Sequence, residues 1–154
     1  MKRKIGPVPK GYHAVTPYLI VEGAARLIEF LKKAFGGSES ERHLRPDGSV
    51  MHAQVKVGDS VVMLGDARAQ WKPMPSTLYI YVKDADDTFK RALQAGGVSV
   101  MDVADQFYGD RMGGVKDPVG NIWWIATHVE DVSPAEMKKR SEEWMKKQSK
   151  GSKP

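Results

Sequence analysis

The sequence predicts an α+β fold: two copies of a β-α-β-β-β module, their sheets curved around a cup with the helices outside and one extra helix at the end. Three observations predict it. First, an extended apolar segment runs twice into an amphipathic helix that ends in Gly-Gly: PYLIV then GAARLIEFLKKAFGG, and LYIYV then DADDTFKRALQAGG. Second, equivalent residues recur at a steady offset, Val21 with Val82, Gly48 with Gly109 and Gly58 with Gly120. Third, each helix is followed by three short β-type runs broken by turn residues.

The elements follow in order. In the first helix Ala24, Leu27, Ile28, Leu31 and Phe35 share a face at the 3,4 spacing, and Gly36-Gly37 supplies the left-handed stop. The runs SESERHLR, SVMHAQVKV and SVVMLGD come next, joined at Pro46-Asp47-Gly48 and Gly58-Asp59, which favour hairpins. Residues 67–75 form a linker. In the second helix Ala85, Phe89, Ala92 and Leu93 share a face before Gly96-Gly97. The runs VSVMDVADQF, DRMGGVKD and NIWWIATH complete the second copy. Ser133 as N-cap and Pro134 at the first helical position open a helix over 134–148. The expected division is a basic arm over 1–13, a domain over 14–133 (repeats 14–66 and 76–128), the helix, and a frayed tail over 149–154.

Composition narrows function. A chain of 154 residues, 41% hydrophobic, suffices for one core. It has no cysteine, which removes disulfides, thiolate nucleophiles and Cys-bound zinc and fits a reducing cytoplasm. The basic N-terminus is followed by no long apolar run, so neither a signal peptide nor a membrane span is expected. The net charge of +5 sits at the ends: residues 1–10 carry four Lys/Arg, and residues 138–154 carry seven against two acids. The body between them is mildly acidic. A basic groove for nucleic acid is not expected.

Strand alternation sorts the side chains. Leu19, Val21, Val62, Leu64, Leu78, Ile80, Val82, Trp123 and Ile125 go beside the helices. Facing inward go Thr16, Tyr18, Ile20, His52, Gln54, Met63, Thr77, Tyr79, Tyr81, Trp124 and Ala126. Pro17 requires an edge or seam, because it has no N–H to give. Trp71, Tyr79, Tyr81, Tyr108 and Trp124 are expected to line one cavity, with Met63 and Met112 as soft wall. His52 has a functional reading, hydrogen-bond donor or general base, beside a purely structural one. Arg111 can present its fork to an anion or pair with Asp110 or Asp117. Asp117-Pro118-Val119-Gly120-Asn121 is a turn that shapes the site: Pro fixes φ, Gly takes positive φ, and the Asp caps its own backbone. Glu41 and His43 are read as a solvated strand face, and His128 as a structural residue closing the last strand.

A duplicated β-α-β-β-β unit with DPxGN before an apolar terminal strand resembles the vicinal-oxygen-chelate superfamily of glyoxalase I, extradiol dioxygenases and bleomycin- and fosfomycin-resistance proteins. VTPYLIVEGAARLIEFLKKAFGG, SVMHAQVKVGDSVVMLGD and YGDRMGGVKDPVGNIWWIATH carry the resemblance, which is closest to the PhnB-like branch. It implies a homodimer and, for the enzymes, a divalent metal held by His, Glu or Asp on the first and last strands of each repeat. Internal alignment puts those positions at Thr16, Met63, Thr77 and Trp124, none a usable ligand.

The expectation is a cytoplasmic homodimer binding an aromatic or amphipathic small molecule in a metal-free cup, with no cofactor, nucleic acid or membrane partner. Tyr18, Gln54, Met63, Trp71, Tyr79, Tyr81, Tyr108 and Trp124 are the ligand-binding candidates, and His52 and Arg111 the catalytic ones. The alternative is a metal-dependent lyase, isomerase or dioxygenase with displaced ligands drawn from His13, His52, Glu41 and Asp66.

Overall fold

The computed structural model describes residues 4–151. The first three residues of the basic arm and the last three of the tail lie outside them. The order is β1 (Tyr18–Val21), α1 (Ala24–Phe35), β2 (Ser38–Leu44), β3 (Val50–Val57), β4 (Ser60–Asp66), β5 (Thr77–Tyr81), α2 (Ala85–Gln94), β6 (Val98–Asp105), β7 (Asp110–Lys116), β8 (Ile122–His128) and α3 (Pro134–Gly151). The duplicated α+β architecture is as the sequence predicts. α3 continues to Gly151, three residues past its expected end, because no helix breaker precedes that glycine.

The strands form two four-stranded sheets, β1-β4-β3-β2 and β5-β8-β7-β6. The first strand of each module is therefore an edge, parallel to the last strand of its own module. Pro17 sits just outside β1, and its carbonyl accepts from the Met63 N–H at 2.9 Å, so its missing N–H costs nothing. In each module one antiparallel meander packs its helix on one face only.

Both helices carry a broad apolar stripe, and α1 and α2 pack against each other as well as on their own sheets. This explains Phe30, which lies off the expected stripe of α1 and is nevertheless 1% exposed. α1 is buried on two sides. Phe30 touches the end of α2 near Gly97, and Phe35 meets the Trp123 ring at 5.0 Å. Leu19, Val55, Leu64, Val115, Trp123 and Ile125 complete a core shared by both modules. Leu93, expected on the buried face of α2, is 38% exposed, because Thr88 and Ala92 make the inner contact instead.

The helix ends are held by different means. Gly36 ends α1 at φ 65°, the left-handed conformation that Gly adopts without cost. Asp84 caps α2 by accepting from the Asp87 N–H at 3.1 Å. α1 starts at Gly23 with no side-chain cap of its own. Asp66, at the end of β4, accepts from the Gly23 and Ala24 N–H groups at 3.1 and 2.8 Å and so caps the helix from a distance. No helix among the described residues is long and apolar enough to cross a membrane.

Candidate ligand-binding site

Each sheet has a second face, turned away from the helices. On the first sheet it carries a polar relay. The Gln54 amide oxygen accepts from the Tyr12 hydroxyl, which turns its NH2 toward His52 Nε2 at 3.0 Å. His52 Nε2 therefore accepts and Nδ1–H donates to the Tyr18 hydroxyl at 3.2 Å. Both imidazole nitrogens are engaged. Glu41 reaches back from β2, 3.0 Å from His43 and 3.8 Å from His52. The His43 hydrogen bond holds the Glu41 carboxyl below its ordinary value against the opposing pull of desolvation.

Beside this relay the face opens into two hollows. One, of about 430 Å³, lies under the N-terminal arm and is lined by Pro9, Tyr12, Gln54 and Met63. The other, of about 280 Å³, is lined by Tyr18, Ile20, Met51 and Trp71. Trp71 stands 60% exposed and Tyr18 48%.

The second sheet carries a denser network, centred on Asp110 at the start of β7. Asp110 is only 3% exposed. Its Oδ2 accepts from the hydroxyls of Tyr79 at 2.6 Å and Tyr81 at 3.0 Å, while Oδ1 faces His128 Nδ1 at 2.8 Å. The other imidazole nitrogen, Nε2, lies 2.6 Å from Asp131. Tyr79 and Tyr81 stand on β5, and Asp110 on β7, so the phenols must cross β8 to reach it. They cross at Ala126, which pairs with both Tyr81 and Met112 and whose small side chain is fully buried. Trp124 pairs with Tyr79 and with Gly114. A Cβ on Gly114 would stand 2.3 Å from the indole, so glycine is what lets that ring lie on β7.

The electrostatics follow from this packing. Burial alone would raise the Asp110 carboxyl, but the donors Tyr79, His128 and Tyr81 outweigh it and hold it below the ordinary value. Burial first, then the carboxylate, pushes the Tyr79 hydroxyl up. The same bond to Asp110 is the main cause for Tyr81, also raised. Asp131 and then Asp110 raise the His128 imidazole.

The sequence profile of the Glyoxalase/Bleomycin resistance protein/Dioxygenase superfamily matches residues 12–125. The chain belongs to that superfamily. An uncharacterized protein of Mycobacterium bovis is 38% identical over 135 residues, which are 80% of this chain and 89% of the relative. Among solved structures, TioX from Micromonospora sp. ML1 superposes with a TM-score of 0.65 at 23% identity, covering 76% of this chain and 99% of TioX. A PhnB protein from Bacillus cereus, described as a putative 3-demethylubiquinone-9 3-methyltransferase, does so at 0.58 and 17%, covering 75% and 99%. At these identities the two structures speak for the fold alone.

The divalent metal that the resemblance implies for enzymes of the superfamily does not fit the residues present. Among the described residues no three His, Asp or Glu side chains are grouped to hold an ion. Tyr18 pairs with Met63 and Tyr79 with Trp124, so Thr16 and Thr77 stand one alternation before the strand positions opposite those residues. Of the displaced candidates, Asp66 spends one oxygen on the start of α1 and the other on the Val50 N–H at 2.7 Å. His13 faces Asp59 at 3.9 Å.

The remaining candidates separate. Tyr79, Tyr81 and Trp124 share the second sheet's open face, with the Tyr108 hydroxyl 3.5 Å from that of Tyr79. Trp71 belongs with Tyr18 on the first sheet, so the five aromatics do not line one cavity within a single chain. Arg111 is turned from this face. Its guanidinium pairs with Asp86 at 2.6 Å and Asp105 at 3.2 Å, not with Asp110 or Asp117, because alternation along β7 sends it to the α2 side. The Asp117 turn is as expected and more: Oδ1 caps Val119 and Asn121, while Oδ2 accepts from the Asn121 amide and the Trp123 indole at 3.0 and 2.8 Å.

Sequence reasoning missed His128 and Asp110 as a pair. The available signal was alternation: Asp110 and His128 share the parity of Met112 and Ala126 on their strands. A cavity of about 900 Å³ lies between the β3–β4 hairpin, β5 and the start of α2, and Tyr79 and Tyr81 line it together with Val61, Ile80 and Asp84.

Proposed function

We propose that this superfamily member is a carrier, a cytoplasmic protein that holds an aromatic or amphipathic small molecule against the aromatic open faces of its sheets and catalyses no metal-assisted step. The observation that carries this reading is the exposure of Tyr18, Trp71, Tyr79 and Tyr81 on faces that lack a metal-ligand group among the described residues. Large aromatics gain by covering a ligand and lose by standing in water.

Two copies of the chain would close the faces into cups. Support comes from β1 and β5, whose outer edges have no strand partner among the described residues, and from α3, which has no buried residue among them. Trp144 and Met145 on α3 stand 46% and 53% exposed, an apolar surface suited to a second copy.

A thermal-shift screen of aromatic metabolites and antibiotics against chelator-treated, untagged protein tests the reading. Stabilisation by a class of aromatic compounds, lost in Tyr79→Ala, is expected. Stabilisation seen only after a divalent metal is restored would favour the metal-dependent lyase, isomerase or dioxygenase instead.

A further inference from the structure

We propose that the open face over Tyr79, Tyr81 and Trp124 takes an organic cation: a quaternary or protonated amine on an apolar or aromatic body. The inference rests on the carrier reading and narrows its ligand. Donor accounting leads to it. A phenol has one proton, and Tyr79 and Tyr81 both give theirs to Asp110 Oδ2. What they present outward is oxygen lone pairs and ring faces. The rings stand 5.3 Å apart, tilted at 54° to each other, and Trp124 lies alongside on β8, so the face presents adjoining π surfaces.

The charge beneath the rings has the matching sign. Asp110 and Asp131 are two carboxylates sharing one imidazole, His128, so the cluster keeps an excess negative charge even with that imidazole protonated. Phenols that donate to a carboxylate also have more electron-rich rings, which strengthens their hold on a cation. The arginines at this end of the sheet are engaged elsewhere, Arg111 with Asp86 and Asp105, Arg140 with Glu130 and Glu136. The donors left at this face, the Trp124 indole N–H and the Tyr108 hydroxyl, are uncharged and do not offset the carboxylates for an anion, and a neutral ligand would gain contact area alone.

The test titrates the full chain with benzyltrimethylammonium, its uncharged carbon isostere neopentylbenzene, and phenylacetate, following the Trp124 indole N–H by NMR. The expected result is about tenfold tighter binding of the cation than of the isostere, the worth of two ring contacts, with the anion weakest. Tyr81→Phe should keep most of the affinity and Tyr81→Leu lose about tenfold, while Leu93→Ala on the exposed side of α2 changes nothing. Equal binding of cation and isostere at Trp124 overturns the cation and leaves the carrier standing. Equal losses in Tyr81→Phe and Tyr81→Leu overturn the ring contact. If the cation fails to bind while compounds of the aromatic screen do, only the cation inference falls. If nothing binds in either experiment, both readings fall.

Discussion

A neutral imidazole has one N–H, and His128 faces two carboxylates. Only the protonated ring can donate to Asp110 and Asp131 together. Its raised pKa means that this contribution is complete below the ordinary value of 6.5 and is lost as pH rises through the folded value. Asp110 is buried and keeps the Tyr donors, whereas Asp131 is fully exposed, so Asp131 is the partner released. Wild-type protein should therefore lose melting temperature relative to His128→Gln as pH rises from about 6 toward 9; parallel curves would contradict the bridge. Residue roles were legible where the chemistry is local. Asp117 was read correctly because turn and cap lie within five residues. His128 and Asp110 were not, because their partners come from three strands and the following loop. The fork of Arg111 was seen, but its carboxylates lie on α2 and β6, and nothing local to β7 names them.

At the scale of elements, the helix and strand periods placed every element, and the duplication predicted which residues of the two modules correspond. They did not say that α1 would be wrapped on two sides, because helix-on-helix contact between modules leaves no mark within either module. Phe30 is the consequence. Phe30→Ala should cost about 3–5 kcal/mol in chemical denaturation, the range for emptying a buried aromatic site, whereas Leu93→Ala at the exposed side of α2 should cost under about 1 kcal/mol. Similar losses at the two positions would contradict the packing of α1 against α2. Register sets Thr16 and Thr77 two residues before Tyr18 and Tyr79. β1 begins at Tyr18, so Tyr18 and Tyr79 are the residues opposite Met63 and Trp124.

In the whole molecule, the core lies between and beneath the helices and leaves both aromatic faces outward. The single cup expected from the sequence requires faces from two sheets to meet, and within one chain Trp71 and Tyr79 belong to separate walls. α3 reaches the second wall. Arg140 pairs with Glu130 and donates to the Phe107 carbonyl, and Trp144 stacks on Phe107 at 5.7 Å beside Tyr108. Trp144 and Met145 keep exposed apolar surface, which the proposed dimer would cover. Light scattering at micromolar concentration should give twice the 17.1 kDa chain mass, and a 17.1 kDa particle would reject the pairing. Calorimetric titration of chelator-treated protein with the strongest compound of the aromatic screen tests the carrier reading most directly. Saturable binding without added metal, weakened about tenfold or more by Tyr79→Ala, is the predicted result; binding that appears only when a divalent metal is returned would contradict it.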